Sequence, residues 1–169
     1  MSSISRSSIL YAVVIALLLA SLPGAILRIV QTGEPYLFTQ YFFQDILARL
    51  SGPGRLRFIV QPTVSIVLGI RSGVKDAREG VAPFLWALAF HGQRRRELLR
   101  SAVASIRDLV AIAILLDFIS QFLIFHVVRP GAALIVGPVL ITMPYALARA
   151  LANRITRKMS HLEQSAHIS

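Results

Sequence analysis

Residues 109–152 read LVAIAILLDFISQFLIFHVV (Leu109–Val128), RPG (Arg129–Gly131) and AALIVGPVLITMPYALARALA (Ala132–Ala152), and this stretch decides the fold. Two apolar runs of about 20 residues flank one short turn. At about 1.5 Å rise per residue, each run matches the ~30 Å hydrocarbon layer of a bilayer. The pattern predicts an antiparallel transmembrane hairpin. The expected fold class is all-α: a polytopic helical membrane protein with three or four transmembrane helices and interfacial amphipathic helices.

Composition agrees with that class. Of 169 residues, 55% are hydrophobic and only 15% charged, against about 25% charged in an ordinary soluble domain. The length suits a single integral membrane domain over residues 1–169. Cysteine is absent, which excludes disulfides, thiol catalysis and thiolate metal sites. The net charge is +10, and its cations sit beside the hydrophobic runs. That placement points to a topology signal and to contact with anionic lipid headgroups. Nucleic acid is not an expected partner, since no reading module is present.

Working outward to the N-terminal side, Ile9 to Leu27 runs without charge and forms a first expected span, kinked or ended by Pro23 and Gly24. A cleaved signal peptide is the competing reading. Leu18 and Pro23 occupy positions where a cleavage site needs small residues, which favours an uncleaved helix. Tyr36, Phe38, Tyr41, Phe42 and Phe43 then mix with Glu34, Gln40, Gln44 and Asp45 in a texture suited to the headgroup layer. Phe38, Phe42 and Ile46 recur every fourth residue, as on an amphipathic surface helix broken at Ser51 to Gly54.

Phe58 to Ile70 is the ambiguous piece, short for a span although arginines at both ends could snorkel to extend it over about 58–72. The helical pattern continues from Arg55 through Glu79 to a stop at Gly80. With four spans the 18 Lys and Arg residues divide 13 to 5 across the bilayer, and with three they divide 16 to 2. Charge counting therefore favours three spans, and helix continuity favours four. Residues 71–107 form a basic cytoplasmic loop either way. Arg71, Lys75, Asp76, Arg78 and Glu79 fit an exposed helix end with a Lys75–Glu79 pair. Trp86 and its apolar neighbours suit the inner interface, and from Gln93 an amphipathic helix feeds directly into Leu109. Arg94, Arg95, Arg96 and Arg100 are candidates for anionic lipid or an acidic partner; the plainer reading is that they fix orientation. Beyond Arg149, Arg154, Arg157 and Lys158, residues 158–169 read as a frayed polar tail.

Blocks of this sequence resemble those of small bacterial inner-membrane proteins of unknown function: Gln61-Pro62; Ile70-Arg71-x-Gly73-x-x-Asp76-Ala77-Arg78; Pro83-x-x-Trp86; Asp117-x-x-x-Gln121; and Pro144-Tyr145-x-x-x-Arg149-x-x-x-Asn153-Arg154. The resemblance covers about residues 52–155. It implies a multi-pass protein in a bacterial inner membrane and carries over no activity; the expected cytoplasmic side of residues 71–107 and the C-terminus comes from the charge count.

Polar residues inside the expected spans carry the functional reading. Asp117 lies near the middle of its helix, where a carboxylate faces protein or water rather than lipid. At about 100° per residue, Ser120 and Gln121 share its face. A symmetric turn brings Thr142 to the same depth and Arg149 about 9 Å nearer the inner surface, so pairing of Asp117 with Arg149 would be stretched. Asp117 is either a proton or cation site or a carboxyl that locks helices together. Gly137-Pro138 and Pro144-Tyr145 bend or pack the last helix. No nucleophile elbow, phosphate loop or zinc-helix motif occurs, and His91, His126, His161 and His167 do not form a ligand cluster. No enzyme activity, metal or cofactor is expected. Two functions remain: a non-enzymatic scaffold or accessory subunit of a larger membrane complex or homo-oligomer, and a small ion or solute transporter with a path along Asp117 and Gln121.

Overall fold

A computed structural model describes residues 5–33, 36–52, 55–81, 84 and 92–166. Among these residues the chain forms five helices and no strand: α1 Arg6–Thr32, α2 Gln40–Ser51, α3 Arg57–Arg78, α4 Gly92–Phe125 and α5 Pro130–Ala166. The all-α class follows. Three stretches are long and apolar enough to cross a membrane, Arg6–Thr32, Leu98–Phe125 and Pro130–Ser160. The protein is thus a multi-pass membrane protein by the length and composition of its helices.

Several boundaries differ from the sequence expectation, each for a local reason. α1 continues through Pro23 and Gly24 to Gly33, whose left-handed φ of 70° lets its N–H donate to the Ile29 carbonyl. Proline removes one amide donor, and in lipid no water can satisfy the groups that a break would free, so the helix persists. The same holds in α5, which is continuous through Pro138 and Pro144. The turn of the hairpin sits earlier than Arg129–Gly131. α4 ends at Phe125, His126 takes a left-handed φ of 52°, and Pro130 opens α5. A proline is favoured in that first helical position because its missing N–H would have had no partner there. α5 also extends to Ala166, so most of the expected frayed tail is helical. α2 ends at Ser51 with Gly52 following it, within the break expected over Ser51 to Gly54; Pro53 and Gly54 lie outside the described residues.

The chain divides into two compact units, Met1–Val60 with Asp108–Leu140, and Gln61–Arg107 with Ile141–Ser169. In the first, Val14 of α1 packs with Ala111, Ile114 and Phe118 of α4 and Ala133 of α5. Phe42 of α2 packs with Ala132 and Val136. A Cβ on Gly137 would lie 3.0 Å from the Ala113 carbonyl carbon and the Ile114 nitrogen. This close approach sets the antiparallel register and puts Ala133, not Thr142, at the level of Asp117.

In the second unit, close approach is made by Gly69 and Gly73 of α3. A Cβ on Gly69 would sit 2.5 Å from the Tyr145 carbonyl oxygen, and one on Gly73 would sit 2.2 Å from the Arg149 carbonyl oxygen. Ala148 and Ala152 are the facing side chains. Small residues four apart let two helix backbones approach this closely, the packing that replaces hydrophobic burial in lipid.

α3 itself is inverted relative to a helix of a soluble protein. Its buried residues are Arg57, Gln61, Ser65, Gly69, Gly73 and Asp76, all polar or glycine. Its exposed face carries Ile59, Val60, Val64, Ile66, Val67 and Ile70. The helix is 22 residues long, enough for the bilayer at about 1.5 Å per residue, but its polar buried stripe keeps it out of the set of three apolar spans.

Candidate functional site

Asp117 is completely buried, and its surroundings come from three helices of the first unit. Arg49 of α2 reaches it with Nη1 at 3.3 Å from both carboxylate oxygens. Arg57, at the start of α3, donates from Nη2 to Oδ1. Gln121, one turn along α4, donates from Nε2 to Oδ2 at 2.7 Å. Ser120 is buried on the same side of α4. The other end of the Gln121 amide accepts the Arg129 backbone N–H at 2.7 Å, so this side chain ties the carboxylate to the hairpin turn.

The helix pattern explains how Arg49 arrives there. Phe42, Ile46 and Arg49 are spaced four and three apart, on one face of α2. Phe42 buries against α5, and Arg49 is carried inward on the same stripe. α2 is set in place by Thr39, whose hydroxyl accepts the Phe42 N–H at its N-terminus. The Arg49 guanidinium lies over the Phe125 ring at 5.8 Å, and that of Arg57 lies over Phe58 at 4.7 Å, so each cation has an aromatic ring beside it.

A second pair borders this cluster. Arg129 binds Asp45, which also accepts the Tyr36 hydroxyl at 2.5 Å, and the Arg129 guanidinium stacks 4.1 Å over the Tyr36 ring. Burial pushes the Tyr36 phenol above its ordinary value, against the opposing pull of Arg129, so it stays a neutral donor beyond the usual tyrosine range. Burial likewise lowers the Arg129 guanidinium from its usual value.

The second unit holds an independent ion pair. Arg149 meets Asp76 in a fork, Nε to Oδ2 at 2.6 Å and Nη2 to Oδ1 at 3.0 Å. Its remaining nitrogen donates to the Tyr145 hydroxyl at 3.1 Å, which in turn donates to Ser72 at 3.2 Å. Phe84 covers the guanidinium at 4.6 Å. Asn153 donates to the Val81 carbonyl where the chain leaves α3 through Gly80, whose φ is 71°. Asp76 is therefore buried and paired, not part of an exposed helix end; its neighbours Lys75 and Glu79 do form the expected exposed pair, at 3.8 Å.

Of the residues singled out by sequence, Asp117, Ser120 and Gln121 come together, whereas the carboxylate that Arg149 meets is Asp76. Thr142 lies exposed on α5. Arg96 and Arg100 are exposed on α4, while Trp86 and the side chains of Arg94 and Arg95 lie outside the described residues. Sequence reasoning missed Arg49 and Arg57 as partners of Asp117. The available signal was a cation on the apolar stripe of α2, and a cation opening the polar stripe of α3.

The described part of the second unit also has an apolar groove of about 640 Å³ between α3 and α5, lined by Ile66, Ile70, Val74, Leu147, Leu151 and Ile155 among others. Among the described residues, no group of three or more His, Cys, Asp and Glu side chains is positioned to hold a metal ion. Compared with known proteins, the chain matches no family model, no curated protein and no solved structure.

Proposed function

We propose that this protein is a non-enzymatic scaffold or accessory subunit of a larger assembly in a bacterial inner membrane. One observation carries the reading: the membrane-embedded carboxylate at 117 is wholly buried and both of its oxygens are held, by Arg49, Arg57 and Gln121. A conduction path needs charges that exchange partners with water or a passing ion. Here the carboxylate is held by two cations, which repel a third, and it locks α2, α3 and α4 together.

The outer surfaces support the same reading. Only 6% of the apolar window of α1 is buried, against 39% and 33% for α4 and α5. Away from the stripe around Val14, its exposed side chains, among them Ile15, Leu19, Ile26 and Val30, face lipid or a partner's helix, and the apolar face of α3 is exposed in the same way.

The inverted face of α3 also favours a fourth membrane-embedded helix. Arg49, Arg57, Arg129 and Arg149 are held in internal ion pairs. Discounting them as topology signals leaves the remaining 14 cations divided 12 to 2 with four spans and 13 to 1 with three. The charge count then no longer separates the two topologies, and residues 71–107 and the C-terminus are cytoplasmic in both.

The test is a mild-detergent pull-down of the tagged protein at natural expression level, read by mass spectrometry and sizing. A stoichiometric larger membrane complex supports an accessory role and a closed homo-oligomer supports a self-assembling scaffold. A lone monomer, together with solute flux in vesicles that Asp117→Asn abolishes, overturns both.

A further inference from the structure

Charge in the Asp117 cluster does not balance. Arg49 and Arg57 bring two positive charges to one carboxylate, and the adjoining Arg129–Asp45 pair is neutral, so one cation is left over. Arginine side chains carry a fixed charge in proteins. Both guanidiniums are enclosed, with side-chain exposures of 0% and 5%. Each spends a single nitrogen on Asp117. Arg49 Nε and Nη2 and Arg57 Nε and Nη1 are buried without a hydrogen-bond partner among the described residues. The neighbouring aromatic rings, Phe125 at 5.8 Å from Arg49 and Phe58 at 4.7 Å from Arg57, offer no oxygen or nitrogen acceptor to these groups.

We infer that the Arg49–Arg57 pair binds a small monovalent anion of halide size. Four donor nitrogens, carrying six N–H groups, and one surplus positive charge are the two things that such an ion requires. An ion held by buried donors gives up most of its hydration, which favours a weakly hydrated monovalent anion over a strongly hydrated one. Asp117 then serves as a fixed internal counter-charge that both guanidiniums share, and the bound anion completes neutrality. The ion is a resident structural ligand of the scaffold and adds to the reading above without depending on it.

The test uses the full-length protein in detergent with all chloride replaced by gluconate, at constant ionic strength. Sodium chloride or sodium bromide is then titrated against gluconate while thermal unfolding is followed. The expected result is a saturable rise in Tm with chloride and bromide. In Arg49→Gln, where Arg57 and Asp117 alone are neutral, the rise is at least tenfold weaker in apparent affinity or absent; Arg57→Gln is the second variant should the first not fold. A wild-type Tm that does not respond to halide overturns the proposal. So does an Arg49→Gln protein that keeps the wild-type response.

Discussion

The two buried ion clusters of this chain solve the same problem with different arithmetic. In the second unit one guanidinium meets one carboxylate, and all three nitrogens of Arg149 are used, two on Asp76 and one on Tyr145. In the first unit two guanidiniums share Asp117, and each leaves two nitrogens over. The first arrangement is closed and the second is open. A closed pair has one function, to hold α3 against α5, whereas the open cluster fastens three helices and retains capacity for a further ligand.

The difference can be broken or sharpened by substitution. The largest effect is expected for Asp117→Ala, which strands two buried cations: loss should exceed the about 3–5 kcal/mol typical of breaking a buried pair, seen as failure to accumulate folded protein or as a collapse of Tm in detergent. Arg149→Gln strands only Asp76 and should cost about 3–5 kcal/mol by denaturant titration, with Arg149→Lys rescuing poorly because it cannot reproduce the fork. Gly73→Ala leaves both clusters chemically intact but drives a methyl into the Arg149 backbone. It should cost about 1–3 kcal/mol, and Gly80→Ala, where no neighbour lies within 4 Å but φ is positive, supplies a strain-only control. The smallest effect is expected for Arg49→Gln, about 1 kcal/mol or less, because Arg57 and Gln121 still hold the carboxylate and the surplus charge is gone. If Arg49→Gln proves as damaging as Arg149→Gln, the contrast between an open and a closed cluster fails.

Periodicity made the hairpin, the first span and the amphipathic entry to α4 legible, because apolar length and helical spacing are local properties of a chain in lipid. The polar side of Asp117 was legible for the same reason: Ser120 and Gln121 are its neighbours on one helix. Its cationic partners were not, since Arg49 and Arg57 come from elements 68 and 60 residues away, and nothing local states which helix α2 will face. Arg57 could be read as a snorkelling boundary residue as easily as an inward one. Asp76 misled for a related reason, being flanked by Lys75 and Glu79 that do face outward. The polar repeat of α3, from Arg57 through Gln61, Ser65, Gly69 and Gly73 to Asp76, was the signal that held this information; it marks a buried face whose packing relies on closeness and charge in place of hydrophobicity.

Shielding of the Asp117 face from water separates a scaffold from a conduction path, and the chain contains no cysteine, so a single introduced thiol can report on it. The measurement is the labelling rate of Ser120→Cys by a membrane-impermeant maleimide in native vesicles of both orientations, with Arg100→Cys as the exposed control. Burial of this face predicts rapid labelling at 100 from one side and none at 120 from either side until the protein is denatured. Labelling at 120 at a rate near that at 100 would mean that water reaches Asp117, and the scaffold reading would give way to a conduction path.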